Sequence, residues 1–180
     1  MRILGIDPGY ERLGIAVLEK VVSVRRPADY GVPKKSAYAE SYGETREKVI
    51  FSECFKTSNK LEFSKRLLLI GEEVRKIIKK YQPDVLSVET LFLTTNQKTV
   101  MRVAEARGVV IYEAMQAGLK IFEASPPQIK LAATGYGKAD KTQINKMVKM
   151  LVEIEKNKTS DDELDAIAIA LTAFAHLRGQ

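Results

Sequence analysis

The segment that specifies the first two strands lies at the start of the chain. It reads Arg2-Ile-Leu-Gly-Ile-Asp7-Pro-Gly9, followed after four residues by Gly14-Ile-Ala-Val-Leu18. A short apolar run that stops at a Pro-Gly pair is typical of a strand followed by a turn. The second run resumes the extended pattern, so we predict that it pairs antiparallel with the first. Asp7 then lies at the end of an apolar strand, where a buried carboxylate requires a partner.

The rest of the chain predicts a mixed five-stranded α/β sheet flanked by helices. Residues 49–57 alternate and predict a third strand, and apolar residues recur every three or four positions over 63–81. Two capping boxes, at Asp140 and Ser160, open the last two helices, and the apolar face of the first of these runs to Ile154. The remaining predicted elements are a strand over 85–89, a helix over 97–117, a strand over 119–124 and a helix over 126–133.

Residues 23–48 interrupt this order. They are polar and basic, and we predict that they form an inserted loop or hairpin extension. No second core and no internal repeat is visible, so we predict one domain over residues 1–180.

Composition limits the possible chemistries. The chain has 180 residues, a net charge of +6 and a pI near 9.3, which suits a polyanionic partner or simply a basic protein. Cys54 and His176 are the sole cysteine and histidine, which argues against a zinc site and a Ser-His-Asp triad. Without a possible internal disulfide, a signal peptide or an apolar run of about 18 residues, we predict a cytoplasmic protein that does not bind a membrane.

Four acids lie where a buried acid needs an explanation. Asp7 and Glu89 each end an apolar strand, and Asp162 and Asp165 share one face of the last helix. Ligands collect at strand ends in open α/β sheets because the loops diverge there. Packed carboxylates repel one another unless a divalent cation lies among them, and oxygen ligands favour magnesium or manganese.

Three of the acids also have a plainer explanation. Asp7 can initiate the Pro-Gly turn, Asp162 can complement the helix dipole, and Glu89 can pair with a lysine. The joint placement of the four acids, rather than any one of them, supports the metal hypothesis.

A series of motifs follows in fixed order from residue 1 to about 176. It comprises Ile6-Asp-Pro-Gly9, Gly14-Ile-Ala, Val88-Glu89-Thr-Leu-Phe92, Asn96, Ala106-Arg-Gly108, Gly135-Tyr-Gly137 with Lys141, and Asp162-Glu-Leu-Asp165-Ala-Ile-Ala168. The series resembles the bacterial RuvC Holliday junction resolvases. The chain departs from that family mainly over 20–60, and it has Pro127 near a position where a basic residue is common.

The resemblance implies a ribonuclease H-like fold and magnesium-dependent cutting of four-way junction DNA in recombination and repair. Asp7, Glu89, Asp162 and Asp165 would hold two magnesium ions, for which manganese could substitute. One ion would lower the pKa of the attacking water and the other would stabilise the leaving 3′-oxygen. Lys141 matches a family lysine near the scissile phosphate and would also contact DNA.

The resemblance also implies partners. Phe92 stands where the family places an aromatic residue against the junction bases, although a core position is the alternative. Arg107 and Lys130 are further candidates for DNA contact, with packing and solvated-surface roles as alternatives. A homodimer is implied, with the helix over 97–117 as its candidate interface, and a branch-migration complex of the RuvA and RuvB type is a further possible partner.

Two other function classes stay open from the residues alone. One is a junction-binding protein without catalysis, which retention of all four acids disfavours. The other is an actin- or sugar-kinase-like phosphate-binding ATPase, which the lack of a second glycine-rich phosphate loop disfavours.

Overall fold

The sheet and its helices appear in the predicted order in the computed structural model, which describes residues 1–24, 43–91, 97–154 and 158–177. The strands run in the order β3-β2-β1-β4-β5 across one mixed sheet. β1 pairs antiparallel with β2 and parallel with β4, which itself pairs parallel with β5. The elements are β1 (Arg2–Asp7), β2 (Arg12–Val24), β3 (Gly43–Lys56), α1 (Phe63–Tyr81), β4 (Val85–Glu89), α2 (Gln97–Gln116), β5 (Lys120–Ala124), α3 (Pro126–Thr134), α4 (Lys141–Leu151) and α5 (Asp161–Leu177).

The sheet separates two apolar layers because side chains alternate along each strand. Ile3 of β1 belongs to the layer that α5 covers, whereas Leu4 and Ile6 belong to the layer beneath α1 and α2. On β4, Ser87 donates its hydroxyl hydrogen to the carbonyl of Ile169 in α5 at 2.7 Å. The same alternation directs Asp7 and Glu89, which end β1 and β4, toward the α5 side.

Helix α5 packs directly against the backbone of β1. Its buried residues occur on all sides of the helix rather than along one stripe, as expected for a helix enclosed by its neighbours. A Cβ added to Gly5 of β1 would lie 2.2 Å from the carbonyl oxygen of Ala166 and 2.8 Å from the Cβ of Ala170. Glycine at this position, opposite alanines, therefore sets the distance between α5 and the sheet.

Both predicted capping boxes are present. Asp140 accepts a hydrogen bond from the backbone N–H of Gln143 at 2.8 Å, and the Gln143 side chain accepts one in return. Glu163 accepts hydrogen bonds from the backbone N–H of Ser160 at 3.1 Å and from the Ser52 hydroxyl at 2.6 Å. The second box therefore also ties the start of α5 to β3.

The structure corrects the extent of three elements, while the other elements for which both bounds were predicted lie within one residue of them. β2 and β3 are longer than 14–18 and 49–57, because their ladder continues to the pair Val24 and Gly43. Residues 23–24 and 43–48 of the predicted insertion are therefore strand, and 25–42 lie outside the described residues. The ladder extension carries polar residues without strict alternation, so no local pattern identified it.

The prediction that Ile154 extends the apolar face of α4 is wrong. α4 ends at Leu151, and Val152 is extended with φ −122° and ψ 149°. The chain then pairs with β3, where the backbone N–H of Val49 donates to the carbonyl of Glu153 at 3.3 Å. Pairing with a distant strand ends the helix, and local periodicity cannot report such a contact.

No helix in the described parts of the chain is long and apolar enough to span a bilayer.

The contact at Gly5 yields a stability prediction. Gly5→Ala forces a Cβ into backbone atoms of α5, and we expect it to lower the free energy of unfolding by about 3 kcal/mol or more, the upper range for overpacking. Gly137→Ala is the matched control, because a Cβ there would approach no atom more closely than 3.9 Å. Urea unfolding followed by circular dichroism measures both, and a Gly5→Ala chain as stable as the control would contradict this account of the packing.

Candidate active site

The strand ends and the start of α5 bring the predicted acids together. Ile6 pairs with Val88 in the parallel ladder, so the next residues, Asp7 and Glu89, end adjacent strands at the same edge of the sheet. α5 reaches this edge over Gly14, where an added Cβ would lie 2.2 Å from the carbonyl oxygen of Asp162 and 3.2 Å from the Cβ of Asp7. A side chain at this position would therefore separate the helix from the strand that carries Asp7.

A cleft of about 260 Å³ opens at this edge. Three of the predicted acids and two of the predicted basic residues line it, together with apolar residues of α3, α4 and α5. The polar residues of the lining are Asp7, Glu89, Asp165, Lys130 and Lys141. Asp162 stands outside this lining, beside Asp7. One concave site therefore collects most of the residues that the sequence assigned to chemistry.

The electrostatics of the cleft centre on Asp7. Burial, and then the charges of Asp165, Glu89 and Asp162, raise the pKa of Asp7 from its ordinary 3.8 to about 7, while Lys141 opposes the change. Burial and the charge of Asp165 also raise the pKa of Glu89. Packed carboxylates with raised pKa values attract a cation, which relieves their repulsion.

Two basic side chains contact the α5 acids. Nζ of Lys141, at the first position of α4, donates to Oδ2 of Asp165 at 2.9 Å, and this hydrogen bond is the main reason that the pKa of Lys141 is raised. The guanidinium of Arg12, at the start of β2, donates to Oδ2 of Asp162. Asp162 and Asp165 therefore each have a basic partner from another element.

The donor set fits a hard divalent cation. It consists of carboxylates, and oxygen ligands are those that Mg²⁺ and Mn²⁺ prefer. Within the described residues, no three acidic, histidine or cysteine side chains converge tightly enough to form a preassembled metal centre. The basic partners of Asp162 and Asp165 use ligand oxygens, so these two carboxylates would have to exchange partners to bind a cation.

The residues predicted to contact DNA lie in different surroundings. Lys130 lines the cleft. Arg107 is directed inward: its Nε donates to the carbonyl of Glu89 at 2.9 Å, and its Nη2 pairs with Glu123. These contacts match the packing alternative, since they hold the end of β4. Phe92 lies outside the described residues.

Two arginines near the site escaped the sequence-based predictions. Arg12 reaches Asp162 across 150 positions of sequence, and no local pattern signals such a pair. Arg66 of α1 is buried and donates to the carbonyl of Tyr10 at 3.1 Å and to the hydroxyl of Thr57 at 2.8 Å. It therefore holds the turn that follows Asp7 against α1. The sequence did contain one signal for a buried Arg66, because this basic residue lies on the apolar face of the helix over 63–81.

Sequence and fold comparisons identify one group of relatives. The family model described as "Crossover junction endodeoxyribonuclease RuvC" matches residues 36–173. The protein of that description from Petrotoga mobilis is 42% identical over 98% of this chain and 93% of its own length. The RuvC structure from Thermus thermophilus has a TM-score of 0.76 at 26% identity and covers 100% of this chain and 98% of its own. A T. thermophilus RuvC in complex with Holliday junction substrate has a TM-score of 0.77 at 24% identity, with 99% and 96% covered. The predicted ribonuclease H-like fold is confirmed.

The raised pKa of Asp7 predicts a specific pH dependence. Because its pKa is higher in the folded state than unfolded, the fold loses stability as pH rises from about 4 to about 7. Asp7→Asn removes this loss, so we expect it to stabilise the cation-free chain at pH 8 by up to about 4 kcal/mol, with no difference near pH 4. Thermal unfolding in EDTA measures this, with Asp161→Asn, an exposed acid next to the cluster, as the control. A Tm difference that is independent of pH would contradict the assignment.

Proposed function

Because the chain belongs to the RuvC family of crossover junction endodeoxyribonucleases, we propose that its acidic cleft is the site at which it cuts four-way DNA junctions. The chain is a Holliday junction resolving endonuclease, and its identity to a curated relative extends over nearly its whole length. The relative solved in complex with a Holliday junction has the same fold, which supports this substrate.

One observation carries the assignment of the site. Asp7, Glu89 and Asp165 line a single cleft with Lys130 and Lys141, at the edge where parallel strands end. Acids at the centre can hold cations, and lysines beside them can hold phosphate oxygens. That combination suits hydrolysis of a phosphodiester, in which charge accumulates on the phosphate oxygens as the water attacks.

Two bound magnesium ions would lower the pKa of the attacking water and would neutralise the negative charge that develops on the leaving 3′-oxygen. Asp7, Glu89, Asp162 and Asp165 are the residues that would hold them, and manganese would substitute because it prefers the same ligands. Asp7 is the central member, since three other carboxylates surround it. Lys141 leaves Asp165 and steadies charge on the oxygens of the scissile phosphate.

The same proposal covers the DNA contacts. Lys130 and Lys141 hold the backbone at the cleft, and Phe92 contacts the bases at the junction centre. For Arg107, the contacts with the Glu89 carbonyl and with Glu123 favour a positioning role: it fixes the strand end that carries a metal-binding carboxylate. We assign the enzyme to the cytoplasm, where its DNA substrate would be found. The proposal of a branch-migration partner of the RuvA and RuvB type is supported only by the family resemblance.

A homodimer through α2 completes the proposal. Met101, Tyr112 and Met115 lie on one side of this helix, and each exposes more than half of its side chain. Leu68 of α1, the helix packed beside α2, is also exposed. Apolar side chains exposed on two adjacent helices mark a surface that association can cover. Two copies would place two acidic clefts on one junction, as cutting opposed strands requires.

Nuclease activity tests the site. On a synthetic four-way junction with magnesium, we expect Asp7→Asn to lower the cleavage rate by about a hundredfold or more, because a central metal-binding carboxylate is lost. Asp161→Asn is the matched control: it removes an exposed acid next to Asp162, and we expect this variant to cleave normally. Retained junction binding by Asp7→Asn shows that the variant is folded. Tight binding of the junction by the unmodified chain without any magnesium-dependent cleavage would instead support a non-catalytic binder.

The oligomeric state tests the interface. Tyr112→Glu places a charge in the proposed contact, and we expect sedimentation to show monomers where the unmodified chain sediments as a dimer. Met150→Glu is the control, because Met150 is 71% exposed on α4, outside this surface. Equal dimerisation of the two variants would exclude this face of α2 as the interface.

A further inference from the structure

The ion pair between Arg12 and Asp162 is the feature of the site that the proposed chemistry does not use. Arg12 begins β2, five residues after Asp7, and its guanidinium donates to Oδ2 of Asp162. The sulfur of Cys54, on β3, lies 3.4 Å from the same oxygen and donates to it. Two donors therefore converge on one carboxylate oxygen of a residue that the proposed function assigns to a metal ion.

The two members of the pair are exposed to different extents. The side chain of Arg12 is 53% exposed, whereas that of Asp162 is 20% exposed. The guanidinium thus stands on the solvent side of a carboxylate that neighbours Asp7 of the cleft. A group in this position can exchange the carboxylate for a phosphate without leaving the surface. Arginine is suited to both partners, because its fork of donors matches carboxylate and phosphate oxygens equally well.

A second basic residue stands beside Arg12. Lys56 is its direct partner in the antiparallel ladder between β2 and β3, so both side chains emerge on the same side of the sheet. Lys56 is exposed and forms no ion pair within the described residues. Two adjacent exposed cations next to an acidic cleft suit the backbone of a bound nucleic acid.

We propose that Arg12 couples substrate binding to metal binding: it occupies Asp162 in the chain alone, and a phosphate of the bound junction draws it away so that Asp162 can hold a metal ion. This inference rests on the proposed function, because it takes Asp162 as a metal ligand and the junction as substrate. A guanidinium and a metal ion compete for the same carboxylate oxygens. A metal ion that binds without DNA must displace Arg12 and leave it without its carboxylate partner, whereas the junction offers it a new one.

The coupling has a limited size and a reciprocal form. An exposed ion pair contributes little free energy, so displacing Arg12 should weaken metal binding by no more than about two- to fivefold. By linkage, the factor by which DNA tightens metal binding equals the factor by which the metal tightens DNA binding. Removing Arg12 should therefore tighten metal binding in the absence of DNA and reduce the coupling by the same factor.

Calorimetric titration with Ca²⁺ tests this, with and without a saturating four-way junction. Ca²⁺ binds the same oxygen ligands, and a denaturing gel after each titration verifies that the junction is intact. Without DNA, we expect Arg12→Gln to bind Ca²⁺ about two- to fivefold more tightly than Lys56→Gln. The second variant is the matched control, because it removes an equal charge from the adjacent position without touching Asp162. With the junction present, the tightening of Ca²⁺ binding should be about two- to fivefold smaller in Arg12→Gln than in Lys56→Gln.

The outcomes separate this inference from the proposed function. Equal Ca²⁺ affinities and equal coupling in Arg12→Gln and Lys56→Gln would overturn the role of Arg12. Asp162→Asn is titrated in parallel: weaker Ca²⁺ binding in that variant, together with no difference between the other two, would uphold the ligand assignment and reject the coupling. Unchanged Ca²⁺ binding in Asp162→Asn would overturn both the place of Asp162 in the proposed function and the coupling built on it.

Discussion

The close approach of α5 to the sheet is the constraint on which the site depends. Gly5 and Gly14 leave no side chain between β1, β2 and the helix, and carbonyl oxygens of α5 would lie 2.2 Å from a Cβ at either position. Because of this contact, the first turn of α5 reaches the edge where β1 and β4 end. Asp162 and Asp165 consequently face Asp7 and Glu89 rather than solvent. A residue larger than glycine at either position would move the helix and separate the two pairs of acids.

The same packing creates an electrostatic problem within the fold. Asp7 is buried among three other carboxylates, and its pKa rises to about 7 as a result. The structure offsets part of this repulsion with Lys141 on Asp165 and Arg12 on Asp162. Such an arrangement is less stable than one with neutral side chains, but it keeps a concentrated negative charge where the proposed chemistry would need cations. The residues that we propose as ligands of the cations are therefore also the source of this instability.

Most of the site was predictable because its acids follow local signals. Asp7 and Glu89 end apolar strands, and Asp165 follows the capping box of the last helix, so pattern and spacing alone placed three acids that line one cleft. The roles of single basic residues were harder to predict. Lys130 lines the cleft as expected, whereas Arg107 is turned inward to the carbonyl of Glu89. The sequence around a basic residue does not show which of several distant acceptors its side chain will contact.

Local sequence patterns were sufficient to predict the strand–turn–strand opening, the mixed α/β order, the capped helices and the four carboxylates, because each depends on neighbours within a few positions. The ends of β2, β3 and α4 instead depend on tertiary contacts, because long ladder pairing and the contact between Val49 and Glu153 override local periodicity. Tertiary packing also brings Arg12 and Cys54 to Asp162, and Arg66 to the turn after Asp7. These contacts join residues far apart in the chain, and their geometry exists only once the sheet and α5 have packed together.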